Sequence, residues 1–556
     1  MQIGSRLNVT QEAITSAKKS ASESNDALNP RDTVILGEQK SDPVSQQMDA
    51  FSKLMALING SKNNETGSSG DEATQNESDI NDVNIIYTGD IHGAITPMPD
   101  QEYGVIGGVS NMANVINKLK KEDKWKYALV DAGDWSQGSL ESNMNRGKTM
   151  LEVMDSIGYD AVEVGNHEFD WGRQSFNELI SNTKVPLVGA NILEEDGTLL
   201  DNVSPYVIKE INGVKVGMVG VLADTIREEG DPRKVEGLTF LNAMETTKKY
   251  VEELKSKGVD VVVVLSHEGD EYDRKLASEL NNVIIVGGHS HNKAIEEVNG
   301  NIIVKSGTQG KYVGHLKLKV KKDENKIISY ENKFIPVTEN LLKSVSLKMD
   351  SGVEDIVTPV IMEAQNKKSQ VVGETNIDLP HDRLKVEESV MGDFVTDAMR
   401  AGTKSDIAFL VSSGIRDQLF RGKITFGDVY RILPRDDESI CIDLTGEQIK
   451  KTMENSAQQH KNYLQISGMT VDIDTSKPAG NQVSNIKVNG LPIDMSKSYR
   501  VAINDITFTG PCGYEEFPKG KNVETGRIQR DILLDYIKAN PGIDTPPQKG
   551  RINFIS

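Results

Sequence analysis

Residues 261–291 read VVVVLSHEGDEYDRKLASELNNVIIVGGHSH. A run of valines closes on Ser266-His267, and a second run from Val283 closes on Gly287-Gly288-His289-Ser290-His291. Apolar runs this short and this rich in Val and Ile read as buried strands. The same pattern recurs outward along the chain in NIIYTGD, YALVDAGD, AVEVGNHEFD, PLVGANIL, KVGMVGVLA, NIIVKSG and HLKLKV. Amphipathic helical patterns lie between such runs, among them Gly108–Lys120 and Glu245–Gly258, with Gly258 as a C-terminal stop. This alternation predicts an α/β domain over 83–337.

The flanks are different material. A charged helix over roughly Leu341–Lys368 forms a linker (338–369), and the composition changes near Ser369. Residues 370–556 read as a second, α+β domain with helices at Glu388–Gly402 and Gly446–Ala457. No internal repeat is visible. Residues 1–82 hold one aromatic, Phe51, and Gly60–Asp82 has almost nothing to bury, which predicts a disordered tail. A short helix over Val44–Ile58 fits the apolar spacing there. The tail reads as a tether, with docking of a partner as the alternative.

The whole chain has 556 residues, enough for two large domains or three smaller ones. With 63 Lys+Arg against 83 Asp+Glu the net charge is −20, which argues against binding a nucleic acid polymer. A small anionic substrate stays allowed, because a few local cations or metals reverse the field in one cleft. Two cysteines, Cys441 and Cys512, cannot build a disulfide scaffold or an all-thiolate zinc site. No apolar run is long enough for a membrane-spanning helix. The first residues lack the basic-then-apolar pattern of a secretory signal, so a cytoplasmic location is expected unless export uses a signal of another kind.

Histidines carry the chemical information. Of eight, His92, His167, His267, His289 and His291 stand at the ends of predicted strands, where open α/β folds bind ligands. Asp90 and His92 are two apart, so in extended chain they point to one side and can reach one ion; His289 and His291 repeat that spacing. Gly133 lets the chain turn so that Asp134 projects, and one carboxylate can bridge two ions about 3.5–4 Å apart. Asn166 and His167 are adjacent, so one can hold metal while the other meets substrate, and Asp170 can set the tautomer of His167. His267 closes its strand. Oxygen and imidazole donors without thiolate suit Zn, Mn, Fe, Co or Ni rather than Ca. Two such ions with open positions polarise a phosphoryl group and deliver hydroxide at neutral pH. His315, His381 and His460 lack suitable neighbours and read as solvent-facing or packing residues, His381 with the option of facing a substrate cleft.

The ordered set Asp-x-His, Gly-Asp, Gly-Asn-His-Glu, His, Gly-His-x-His resembles the calcineurin-like metallophosphoesterases. DIHG, DAGD, GNHEFD and GGHSH look like the bacterial 5′-nucleotidase / UDP-sugar hydrolase branch. MGDFVTDAMR, SSGIRDQLFRGKITFGDVYRILP, LTGEQIKKTMENS and LQISGMTVDID are similar to that branch's C-terminal substrate domain, and the resemblance spans about 83–530. It implies a layered β-sandwich flanked by helices, followed by an α+β substrate domain. It also implies two divalent ions (Zn, Mn, Co or similar). The first would take Asp90, His92, Asp134 and His291; the second would take Asp134, Asn166, His267 and His289. His167 with Asp170 would be the catalytic dyad, and Asp131 structural support. The implied activity is hydrolysis of a nucleotide's phosphate ester by metal-activated water. Alternatives are the same chemistry on a nucleotide-sugar diphosphate or a non-nucleoside phosphate, and a metal-binding adaptor without turnover. The adaptor should have lost ligands, and here all are intact. Members of this branch are commonly exported.

Departures concentrate in the second domain. The family's Asn-Gly-Gly-Gly-Ile-Arg reads Val411-Ser412-Ser413-Gly414-Ile415-Arg416. The base-stacking aromatic after Leu-Pro is Arg435, followed by Asp436 and Asp437. A second stacking Phe and a ribose-binding Asp fall at Ile506 and Cys512, with Phe508 or Tyr514 as the alternative register. Two upstream basic positions are His381 and Lys385, with Arg383 between. Lys385, Arg383, Arg416 and Arg435 are therefore the expected substrate contacts. Arg435 can stack on a base, fork onto a carboxylate or phosphate, or be neutralised by its two aspartates.

Overall fold

The computed structural model describes residues 80–338 and 351–555, apart from 125, 383–384, 460–461 and 510–511. The expectations for the tail up to residue 79, the start of the charged helix, Arg383 and His460 lie outside the described residues.

The strands with histidine ends belong to two sheets. One has seven strands in the order Lys326–Pro336, Tyr312–Lys321, Ile80–Thr88, Tyr127–Asp131, Ala161–Glu163, Leu187–Val188, Val203–Ser204. The other has six, in the order Lys293–Val298, Asn301–Ser306, Val283–Gly287, Val261–His267, Val214–Leu222, Tyr206–Ile211. Strand alternation shows how they pack. Val83, Ile85 and Tyr87 share a buried cluster with Val261, Val263 and Leu265 of the other sheet. Ile86 faces the opposite way, among Met112 and Ile116 of the helix Val109–Glu122. Val262 and Val264 lie under Val251 and Leu254 of the helix Ala243–Ser256. The central strands are buried on both faces, which is why they read as continuous apolar runs, whereas the edge strands Lys326–Pro336, Lys293–Val298 and Tyr206–Ile211 are partly exposed. The result is helix, sheet, sheet, helix, as the resemblance implied. Parallel pairing of Val214–Leu222, Val261–His267 and Val283–Gly287 brings their carboxyl ends to one edge.

Two boundaries differ from expectation. The first described strand already includes Ile80–Asp82, ahead of the expected Val83, because the partner strand continues and pairs Ile80 with Lys321. The second helix starts at Ala243, since the Asn242 side chain accepts a hydrogen bond from the Glu245 N–H at 3.0 Å and caps it.

The α+β domain is built on a five-stranded sheet, Leu464–Ser467, Ile407–Val411, Ser498–Asn504, Glu438–Thr445, Lys521–Ile528. Its helices include Val390–Thr403 and Gly446–Ser456, and the latter starts at a Thr445–Gln448 capping box. The C-terminal residues, featureless in sequence, add the strand Ile552–Ile555 in parallel to Met469–Asp474. Arg551 beside it pairs with Asp397 at 2.7 Å and Asp393 at 3.5 Å. The helix Ser351–Lys368 joins the two domains, with Val353 and Val357 in the first core and Ala364 in the second. Cys441 and Cys512 are free and buried. Among the described residues no helix is long and apolar enough to cross a membrane.

Candidate active site and metal centre

Chain turns at the strand ends aim the polar side chains together. Asp90, His92, Asp134, His289 and His291 all have φ between 49° and 68°. That left-handed backbone is rare outside glycine and asparagine, costs on the order of 1 kcal/mol each, and concentrates at functional sites. Gly133 has φ +90°, and a Cβ there would lie 2.7 Å from His267 Nδ1. So the glycine of DAGD is needed both for its turn and for the close approach of an imidazole.

Two sets of donor atoms converge. Asp90, His92, Asp134 and His291 each place one within 4.8 Å of the others, and so do Asp134, His267 and His289. Asp134 belongs to both. Asn166 Oδ1 lies 3.1 Å from His267 Nε2 and 3.1 Å from His289 Nδ1, which puts it with the second set. The seven residues expected to hold ions are thus neighbours in space.

The chemistry of these donors fits a cation. His92 donates from Nδ1 to the Gln137 carbonyl at 3.0 Å, so its Nε2 lone pair is bare when the ring is neutral. Burial pushes His92 down to about 4, which keeps it neutral. That Nε2 stands 2.9 Å from His291 Nε2, and burial lowers His291 as well. His267 donates from Nδ1 to the Ala132 carbonyl at 2.6 Å, and its Nε2 faces Asp134 Oδ2 and Asn166 Oδ1, each at 3.1 Å. Lone pairs aimed at one another need a proton or a metal between them. At His267 burial opposes charge, yet Asp134 outweighs it and pulls the imidazole up to about 10. Burial alone would raise Asp134, but His267, His167 and His92 hold it well below the usual carboxylate range. Asp90 is pushed up to about 7, mainly by burial. Divalent ions would supply the compensation that protons otherwise provide. The residues present therefore fit the metal pair that the family implies.

His167 stands apart. Its Nδ1 lies 2.8 Å from Asp170 Oδ2, and its backbone N–H donates to Asp134 Oδ1 at 2.9 Å. The ring belongs to neither donor set, and its centroid is 5.3 Å from that of His92. Burial works against its charge, but Asp170 and Asp134 raise it to about 10. Asp131 lies inside the loop, accepting from the Thr88 hydroxyl at 2.6 Å and the Gly133 N–H at 3.0 Å.

The expected substrate contacts separate. Arg416 lines a cavity of about 1130 Å³ on the side of His92 and His291. Arg435 and Ile506 line a smaller one, about 40 Å³, against His167, Asp170 and Trp171. Lys385 is exposed, lines neither cavity, and lies within 3.9 Å of Asp382 and 3.6 Å of Glu387. Arg435 does not stand alone: Asp437 is 3.1 Å away, while Asp436 pairs with Arg530 and accepts from Trp171 Nε1 at 3.2 Å. Tyr514 is buried, with its hydroxyl donating to the Asn462 carbonyl at 2.6 Å, so it offers no stacking face. His381 bonds Ser389 and the Ser412 carbonyl, and His315 is buried against Asp123 at 2.9 Å.

Two participants escaped the sequence reading. Glu168, inside GNHE, accepts from the backbone N–H groups of Asp134, Trp135 and Ser136 at 3.0 Å each and Gly165 at 2.7 Å. It ties the DAGD turn to the GNHE turn; standing among polar residues, it carried no signal of its own in the sequence. Lys234 reaches the small cavity from the first domain and pairs with Asp505 of the second at 3.3 Å. No local pattern marks it.

Comparison with known proteins agrees with this arrangement. A family profile described as "5'-nucleotidase, C-terminal domain" matches residues 371–519, and one described as "Bacterial capsule synthesis protein PGA_cap" matches residues 125–304. The chain is 27% identical over 540 residues to a 5'-nucleotidase-related protein of Glossina morsitans morsitans, covering 86% of this chain and 95% of that one. It is 26% identical over 514 residues to Protein UshA of Yersinia enterocolitica, covering 83% and 92%. The structure of a 5'-nucleotidase precursor from Thermus thermophilus superposes with a TM-score of 0.66 at 28% identity, covering 85% of this chain and 99% of that one. Fold and site define a two-domain phosphoric ester hydrolase of the calcineurin-like class. Over most of its length the chain is similar to 5′-nucleotidases.

Proposed function

We propose that the protein hydrolyses the phosphate ester of a nucleotide with two divalent ions. One is held by Asp90, His92, Asp134 and His291, the other by Asp134, Asn166, His267 and His289. In this reading residues 83–337 do the chemistry and 370–556, joined through 338–369, hold the part of the substrate that does not react. The observation that carries it is Asp134, shared by two converging donor sets and hydrogen-bonded at 2.9 Å to the backbone of His167. When bound, the ions polarise the phosphoryl oxygens and supply a nucleophile at neutral pH. His167 is held protonated by Asp170 and Asp134 and presents its ring beside the donor cluster. There it stabilises charge on the phosphoryl group or gives a proton to the leaving oxygen. Arg416 faces the same cluster and suits a phosphate oxygen.

The leaving group meets an unusual wall. Arg435 and Ile506 line the cavity beside His167, at the positions where the family resemblance places stacking aromatics. Stacking is worth about 1–3 kcal/mol per base, so AMP should be a poor substrate. A second reading, the same chemistry on a nucleotide-sugar diphosphate or a non-nucleoside phosphate, is favoured by this exchange and by the roomy cavity at Arg416. Phosphate release from purified protein, assayed over nucleotides, nucleotide sugars and sugar phosphates with Mn and Zn, tests both. Release from none of them rejects the hydrolase reading; AMP as the best substrate rejects the altered specificity.

A further inference from the structure

Three of the histidines assigned above to metal sit on segments anchored to one buried ion cluster. Lys305 follows the apolar run Ile302–Val304 and is buried, its Nζ 2.6 Å from Asp273 Oδ2 and 2.7 Å from Asp270 Oδ1. Asp273 accepts from the Ser266 hydroxyl at 2.6 Å, one residue before His267. The Asp270 N–H donates to Ser290 Oγ at 2.9 Å, between His289 and His291. Asp270 Oδ2 accepts from Asn292 at 2.8 Å, one residue after His291. The cluster crosses the strand end at Gly287, where a Cβ would lie 2.5 Å from Asp273 Oδ2 and 2.7 Å from Lys305 Cε. This accounts for the first glycine of GGHSH.

A buried ion pair adds little net stability over apolar residues of the same volume, because desolvation offsets the attraction. What it does supply is direction. Three of its hydrogen bonds, to Ser266, Ser290 and Asn292, end on residues flanking a candidate ligand, and groups behind metal ligands set their orientation. We infer that Lys305, Asp273 and Asp270 are positioning residues that hold His267, His289 and His291 in register, and that the second ion, which would take two of the three, depends on them most. The inference rests on the metal assignment of the proposed function.

Zinc affinity of the metal-free full-length chain, measured by chelator competition, is the test. Lys305→Met and Ser290→Ala should each weaken one of two zinc ions about 10–100-fold, the range for loss of such supporting contacts. Ser290→Ala leaves the buried charges alone, so it reports even where Lys305→Met fails to fold. Arg551→Met, which breaks a buried ion pair of the second domain, serves as control: it should lower thermal stability and leave zinc affinity unchanged. Ser290→Ala binding both ions within twofold of wild type overturns the inference, and so does a loss of zinc affinity in Arg551→Met as large as in Lys305→Met. Wild-type protein that binds no zinc overturns the metal assignment and this inference with it, whereas bound zinc with unaffected variants overturns the inference alone.

Discussion

Replacing His167 by alanine should separate chemistry from metal binding, because the proposed function puts these two roles on adjacent residues. Asn166 Oδ1 points to His267 and His289, whereas the His167 ring points to Asp170. His167→Ala should therefore keep both ions and the fold. The backbone N–H of residue 167 still donates to Asp134 Oδ1, so the bridging carboxylate stays oriented. What is lost is a protonated imidazole beside the reacting phosphoryl group. General acid catalysis contributes about 10²–10⁴-fold. At about 1.36 kcal/mol per tenfold, that is roughly 2.7–5.4 kcal/mol of barrier. Asp170→Asn should cost less, because Asp170 is 34% exposed and water screens its charge. Its signature is in the pH profile. His167 titrates near 10 against an ordinary 6.5, raised by Asp170 and Asp134 against burial. A raised imidazole keeps its proton to higher pH, so activity that needs the proton falls as pH rises through the folded value. The pair's contribution to stability is likewise complete below about 6.5 and lost towards 10. Asp170→Asn should move the alkaline limb to lower pH. Steady-state kinetics with elemental analysis of bound metal decides the matter. Turnover within threefold of wild type in His167→Ala, or loss of metal from it, would refute the reasoning.

Asp134→Ala should empty or scramble both donor sets, and His267→Ala mainly the second; two ions still bound in Asp134→Ala by elemental analysis would sink the bridging role. Arg435→Ala should raise KM for the preferred substrate and leave hydrolysis of a small aryl phosphate largely unchanged, since remote contacts count only for substrates that reach them; equal kinetics on every substrate would leave Arg435 as a partner of Asp437 and nothing more. Arg551→Met should destabilise the protein by up to about 3 kcal/mol, because its buried aspartate partners lose their counter-charge; an unchanged melting temperature would contradict this.

Much of the chemistry was legible in the chain itself. Valine-rich runs announced an α/β domain and the family resemblance implied its sandwich, and histidines just beyond the runs were bound to share one edge once the strands ran parallel. The turn that Gly133 allows is a short-range property of the backbone and survives any tertiary arrangement, whereas Asp90 and His92 converge through left-handed turns and not through the extended chain expected from their spacing of two. The placement of Arg416 and Arg435 in separate cavities was not legible, nor was the position of Lys385 outside both. The pairing of Lys234 with Asp505 joins residues far apart in sequence, whereas that of Arg435 with Asp437, two residues on, was among the options the sequence offered. Glu168 and Lys305 show the same limit from the other side. Lys305 directly follows an apolar run, so the sequence indicates that it has a partner, because an unpaired buried charge is costly; Glu168 stands among polar residues and gives no such sign. Which backbone N–H groups or carboxylates answer each charge depends on how two turns or two sheet strands come together, and that is decided by packing of the whole core rather than by any segment alone.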